Sequence, residues 1–324
     1  MSRLSLSCAS GLVIVIAACN GNDSSAPARD ASADAPIADD GAAPDAPDAR
    51  DGSAGPDASD AHDADGSAPT QRGCSSSTTG CYTVYAHTGH ILFYFDLVAT
   101  KLVEIGPFEA PQVPTGGSGT AEDTLNDLAV TPDDRVWLIS DVNLYTADVA
   151  TGHVTLVGPT TKCGISNTSL ASDLSGNLYA GDTKGAICRV SPTNPATMMP
   201  VGMIGGGLAL AGDFASVSDG TTFATAYNLA MPLTANDNAL VTFAPATPNT
   251  VHSIGPTGFG RLFGVAYAGG RILAFSHDGT GSVIGVDRTS GQGALLTIAM
   301  DPTTNAPAVF AGAGVNPLVS KTGP

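Results

Sequence analysis

The sequence predicts an all-β domain of repeated four-stranded units, carried behind a disordered acidic tether. Three observations predict it. Gly (39) and Pro (22) are abundant and Lys plus Arg total only 13, a composition of turns and strands rather than helices. A strand–turn–strand pattern recurs from about residue 80 to residue 300. The acidity also divides the chain: residues 20–73 hold twelve Asp against Arg29, Arg50 and Arg72, a net −9, and the much longer remainder from Cys74 carries the same net charge.

The repeats set the architecture. Leu144-Tyr-Thr-Ala-Asp148 to Leu156-Val-Gly158-Pro159 reads as two alternating strands around a Thr-Gly turn, and Phe93-Tyr-Phe-Asp96 to Ile105-Gly106-Pro107 repeats it. Weaker copies follow, and positions 96, 148, 191, 244 and 287 correspond, separated by 52, 43, 53 and 43 residues. A second hairpin precedes each of the last four: Leu128 to Ile139, Leu170 to Ala180, Phe214 to Ala224 and Gly264 to Phe275. Four strands per unit of this length is a propeller blade, so the fold class is a β-propeller of about five four-stranded blades, with six allowed if one unit is too divergent to see. The first unit, Tyr82 to Ile105, lacks an innermost strand, and the segment from Ala308 to Val315 is expected to supply it and close the ring.

The hairpins resemble the NHL and SMP-30/gluconolactonase-like propeller repeats. The resemblance covers residue 80 to roughly residue 300 and implies the fold; propellers host unrelated functions. It also implies, for the lactonase type, a divalent cation held by Glu, Asn and Asp in the channel. Asn126 and Asp141 match the Asn and Asp, but no Glu follows Glu122, so the pattern is broken in most blades.

At the N-terminus, Arg3 precedes the apolar run from Gly11 to Ala18, which is too short to span a bilayer and fits an export signal. Ile16-Ala17-Ala18-Cys19 resembles the lipobox of bacterial lipoproteins, which implies cleavage before Cys19, lipid on its thiol and a second signal of acylation at the new amino terminus. The expected organisation is a signal over residues 1–18, a lipidated Cys19 with an Asp/Ala/Pro-rich tether to residue 73, and one domain over residues 74–324. The tether has no aromatic residue and only Ile37 as a large aliphatic, so it cannot bury enough apolar area to offset chain entropy. Its Asp residues lack the Gly turn and terminal Glu of a calcium loop, which makes it a spacer with a span of about 40 Å.

Four cysteines remain: Cys74, Cys81, Cys163 and Cys188. In an exported chain they are expected as disulfides, and local pairing, Cys74–Cys81 and Cys163–Cys188, is the preferred of three connectivities. No Cys-x-x-Cys or adjacent Cys/His pair suggests zinc. His87 and His90 flank Thr88-Gly89, which reads as a turn.

The position after each second strand is polar: His87, Asp141, Asp182, Asn228 and His277-Asp278. These loops fall on one face and make it the candidate ligand-binding face, although Asp and Asn also favour turns for local reasons. A net charge of −17 excludes nucleic acid as a partner. No nucleophile elbow, phosphate loop or zincin motif is present. The expected role is therefore a lipid-anchored cell-envelope protein presenting a propeller for protein or small-molecule binding, with a metal-dependent hydrolase and a structural envelope protein as alternatives. Replacing Cys19 with Ser should move the protein from the membrane to the soluble fraction; wild-type protein without acyl mass at its N-terminus would contradict the anchor.

Overall fold

The first described strand, β1 (Val84–His87), runs into β2 (Ile91–Asp96) and β3 (Lys101–Pro107) as an antiparallel meander. A short hairpin of β4 (Gln112–Pro114) and β5 (Thr120–Glu122) leads to the second blade: β6 (Asp127–Val130), β7 (Val136–Ile139), β8 (Asn143–Ala147) and β9 (Val154–Pro159). The third blade is β10 (Ser169–Ser172), β11 (Leu178–Gly181), β12 (Ala186–Val190) and β13 (Met199–Met203). The fourth is β14 (Leu208–Ser216), β15 (Thr222–Asn228), β16 (Ala239–Ala244) and β17 (Thr247–Pro256). The fifth is β18 (Leu262–Ala268), β19 (Arg271–Ser276), β20 (Ser282–Val286) and β21 (Gly293–Ile298), after which β22 (Gly312–Gly314) returns to the first blade. The computed structural model describes residues 82–109, 112–114, 120–231 and 238–319, within the unit Asp65–Pro324; the signal, the tether, Cys19, Cys74 and Cys81 lie outside the described residues.

The sheets are five four-stranded antiparallel blades, and the fold is a five-bladed propeller. Their inner strands neighbour one another in the cyclic order β6, β10, β14, β18, β22 and back to β6. The C-terminal strand closes the ring as expected: β22 pairs with β1 through Tyr85↔Gly314, Ala86↔Ala313 and His87↔Gly312. Closure pairs the edge of β1 that would otherwise be left open. It is also packed, because Ala308, Phe310, Ala313 and Val315 are buried and the Phe310 ring meets Phe275 edge-on at 5.2 Å.

Why the repeats look alike follows from the way blades touch. Every outer strand is kinked by a bulge, and the residue after it is Gly106, Gly158, Gly202 or Gly255 in the first four blades. A Cβ on Gly106 would collide with the Thr151 carbonyl of the next blade's turn, and one on Gly255 with that of Ser290. The Gly of Gly-Pro and the Thr-Gly or Ser-Gly turn are thus two halves of one inter-blade contact.

Cys163 and Cys188 form a disulfide with a Cα–Cα distance of 5.7 Å, linking the loop before β10 to β12. It closes a loop of 25 residues, worth about 3 kcal/mol in the chain-entropy model. The closing segment should matter more, since losing the burial of Phe310 alone costs about 3–5 kcal/mol and an unpaired strand is exposed as well. In parallel melts, deleting residues 305–324 is expected to lower the midpoint further than reducing the disulfide. A truncated protein that melts like the intact one would contradict closure by β22.

Candidate functional site

The face carrying the loops between second and third strands is built mostly of side chains that satisfy their own turns. Asp182 is buried; its Oδ1 accepts the N–H groups of Lys184 and Ala186 at 2.9 and 2.8 Å, and its Oδ2 accepts that of Ile165 at 3.0 Å, tying the disulfide loop to the β11–β12 turn. Asn228 and Asp278 are exposed and accept the N–H groups of Ala230 and Thr280. His87 is fully buried, and its Nδ1 accepts the Gly89 N–H at 3.1 Å while its ring meets Phe108. Burial first, and His90 second, push its pKa down to about 3, so it is neutral. His277 stacks on Phe263 at 4.2 Å, and its Nδ1 lies 2.6 Å from the Phe310 carbonyl, joining the fifth blade to the closing segment.

Asn126 and Asp141 are brought together. The Asn126 amide donates to Asp141 Oδ1 at 3.2 Å and to the Asn167 carbonyl at 2.8 Å, and the Asn167 N–H donates to the same Oδ1 at 3.0 Å. The cation in contact is Lys162, whose Nζ lies 2.7 Å from Asp141 Oδ2. Among the described residues, no three His, Cys, Asp or Glu side chains come close enough to hold a metal. Nearby, buried Asp123 accepts hydrogen bonds from Ser140 Oγ, Asn143 Nδ2 and Tyr145 Oη at 2.7, 2.9 and 2.5 Å, and organises the β7–β8 turn.

The chemistry that converges lies on the axis. Aligned on register, the inner strands place Asp127, Ser169, Asp213, Gly264 and Gly312 at one level. Asp127 and Asp213 are fully buried and hydrogen-bonded to each other across the ring. Asp127 accepts the N–H groups of Leu128 at 2.8 Å and Leu170 at 2.7 Å, and the Ala313 amide lies beside it. Asp213 accepts those of Phe214 at 2.5 Å and Val265 at 3.1 Å. Four of the five blades therefore donate one inner-strand amide each to a single carboxyl pair, and the remaining blade places that of Ala313 beside it. A bulge in β14 between Leu210 and Phe214 contains Asp213 and re-aims it. Glycine is required opposite, since a Cβ on Gly312 would collide with Asp127 Oδ1.

Burial pushes both carboxyls well above the usual range, and the mutual repulsion raises Asp213 further. Two like charges this close cannot both ionise in a buried site, so the pair shares one proton. Beside this pair the channel is filled by the inner strands from Leu128 to Val130, Leu170 to Ser172 and Phe214 to Ser216. A void of about 10 Å³ remains, the limit for a single water.

On the opposite face, a cleft of about 400 Å³ opens between the second and third blades, lined among others by Pro132, Arg135, Trp137, Leu174, Ser175 and Pro192. Trp137, the only Trp of the chain, donates its indole N–H to Thr131 Oγ1 at 3.2 Å, and the half-exposed Arg135 lies over its ring at 5.5 Å.

No protein-family model and no curated protein matches the chain. Among solved structures it is similar to a structural-genomics protein of unknown function from Bacteroides thetaiotaomicron, at 13% identity and a TM-score of 0.38 over 64% of this chain. It spans only 55% of that protein's length. It is also similar to a gluconolactonase from Xanthomonas campestris, at 15% identity and a TM-score of 0.41, covering 68% of this chain and 80% of that one. At such loose overlap the residues alone carry the functional argument.

The axial pair gives a pH dependence whose sign can be worked out. Its folded pKa is raised, so between the unfolded value near 4 and the higher folded value the folded chain holds a proton that the unfolded chain has released. That stabilisation is complete below about pH 4 and is lost as pH rises toward the folded value. His87 acts the other way but only below its unfolded value near 6.5, so pH 7 to 9 isolates the carboxyls. Over that range the unfolding free energy is expected to fall, by at most about 1.4 kcal/mol per pH unit, and Asp213→Asn should flatten the slope. An unchanged slope in the variant would contradict the shared proton. Asp127→Ala, which strands the buried amides of Leu128 and Leu170, should cost several kcal/mol, at about 1–3 kcal/mol for each unmet donor.

Proposed function

We propose that this protein is a non-enzymatic binding platform, held at a cell envelope by lipid on Cys19 and carried clear of the membrane by the acidic segment over residues 20–73. The observation that carries the reading is the sealed axis. A hydrolase of the lactonase type works from a metal in an open channel, whereas here the channel's two carboxyls are saturated by backbone amides and the void beside them is about 10 Å³. Among the described residues a cleft of about 400 Å³ lies between blades, on the face bearing Arg135 and Trp137, where a ligand meets fixed strands rather than a reacting centre. A strongly acidic, lipid-held domain suits a protein or small-molecule partner and repels nucleic acid.

The contact of Asn126 with Asp141 is the one observation that favours the hydrolase instead. Against it stands Lys162, whose ammonium takes the position a divalent cation would need on Asp141 Oδ2. The two readings separate in one assay: purified protein is titrated with calcium, magnesium, manganese and zinc while lactone opening and the melting midpoint are followed. The binding platform predicts no rate above buffer and no metal-dependent shift. A metal-dependent rate that Asp141→Asn abolishes would overturn it.

A further inference from the structure

The outer strand of each blade ends its sheet, so one side of its backbone meets no further strand among the described residues. Four of the five carry residues that oppose strand addition. β3 holds Lys101 and Glu104 and ends on Pro107, β9 ends on Pro159, Pro200 lies within β13, and Pro248 and Pro256 stand in β17. Charge on an edge repels an incoming strand, and proline removes a donor from it. β21, Gly-Ala-Leu-Leu-Thr-Ile, has neither, and no charged residue occurs from Thr289 to Met300. A six-residue apolar strand without proline or charge has the composition that pairs with other chains.

A bulge gives this edge an apolar face. Leu295 lies opposite Ile284 and Ile298 opposite Ser282, positions two apart on β20 and therefore on one side of the sheet. The extra residue, Leu296, thus brings together two side chains that are three apart in sequence. Both point outward: Leu295 is 51% exposed and Ile298 53%, and Met300 just beyond the strand is 46% exposed. Leu296 packs instead against the core. Among the described residues, the backbone group of β21 tied outside its own sheet is the Gly293 N–H, which donates to the Thr257 carbonyl at 2.9 Å. From Ala294 onward the edge is open.

We propose that β21 is a self-association edge, on which β21 of a second copy of this chain pairs antiparallel about a two-fold axis and joins two fifth blades into one sheet. The open backbone groups select an extended strand as the occupant. A two-fold sets a surface against itself, so in a chain of net charge −17 such a contact is favoured where no charge lies, and the stretch from Thr289 to Met300 meets that condition. The prolines and charges on the other outer strands stop the pair from growing into a fibre. A strand of six residues is about 20 Å long, too little for a permanent interface, so the dimer is reversible. The proposal is independent of the lipid anchor and of the cleft at Trp137.

The test is sedimentation velocity of the full chain over a dilution series, with amide hydrogen exchange at its two ends. A monomer–dimer equilibrium is expected, with slower exchange over residues 294–298 in the concentrated sample. Leu295→Lys, at an exposed position, sets like charges against each other across the two-fold and should weaken the dimer at least about tenfold without lowering the melting midpoint. Leu156→Lys, at a position also 51% exposed but on β9, should leave the dimer unchanged. Protein that stays monomeric throughout, its edge then left for a foreign strand, would overturn the proposal. So would a dimer that survives Leu295→Lys, one that Leu156→Lys weakens as much, or one that forms without protecting residues 294–298.

Discussion

Five inner strands converge on one axis, and each brings an amide N–H that its own sheet does not satisfy. Leaving such groups buried and unpaired costs about 1–3 kcal/mol apiece, and water cannot reach them through a channel this narrow. The Asp127–Asp213 pair answers four of them directly, with Leu128, Leu170, Phe214 and Val265 as donors, and has the Ala313 amide beside it. Two carboxylates could not lie together there if both were ionised, so one proton is part of the structure. Gly312 and the bulge in β14 are the consequences in packing, because they make room for the pair or aim it, and Gly264 makes room for the returning β22.

This arrangement bears on function through what it leaves available. The axial carboxyls are taken by their own hydrogen bonds, and among the described residues clefts open in the gaps between blades. Those gaps differ because the repeats differ. Gly106 and Gly255 meet the backbone of a Thr-Gly or Ser-Gly turn, Gly158 and Gly202 meet the rings of Pro195 and Pro248, and the fifth blade carries Thr297 at that position. Divergence among repeats, rather than the repeat itself, sets where ligands can enter.

Much of the fold was legible because its signals are local. Alternating strands around Asp-x-x-Thr-Gly turns, the missing inner strand near Tyr82 and the small apolar run at Ala313 specify blades and closure by period and count alone. The Cys163–Cys188 bond was legible from spacing once export was read from Cys19. The axial pair was not, since Asp127 and Asp213 stand at the hydrophilic margin of strands that sequence reading begins at Leu128 and Phe214. Aligning the preceding residue across the blades, Asp, Ser, Asp, Gly and Gly, holds the signal, but only the ring brings positions 127 and 213 together. The polar residues at Asp182, Asn228 and Asp278 carry the opposite lesson: their pattern was visible, and the structure commits their oxygens to turn amides.

The central claim is that the ring is closed around a carboxyl pair that shares one proton. Carbon-13 titration of protein labelled at the aspartate carboxyls tests it most directly. The account predicts one carboxyl that is still protonated at neutral pH, titrates far above the ordinary carboxylate range and disappears in Asp213→Asn. A titration in which every aspartate is ionised at neutral pH would contradict it, and with it the sealed axis on which the functional reading rests.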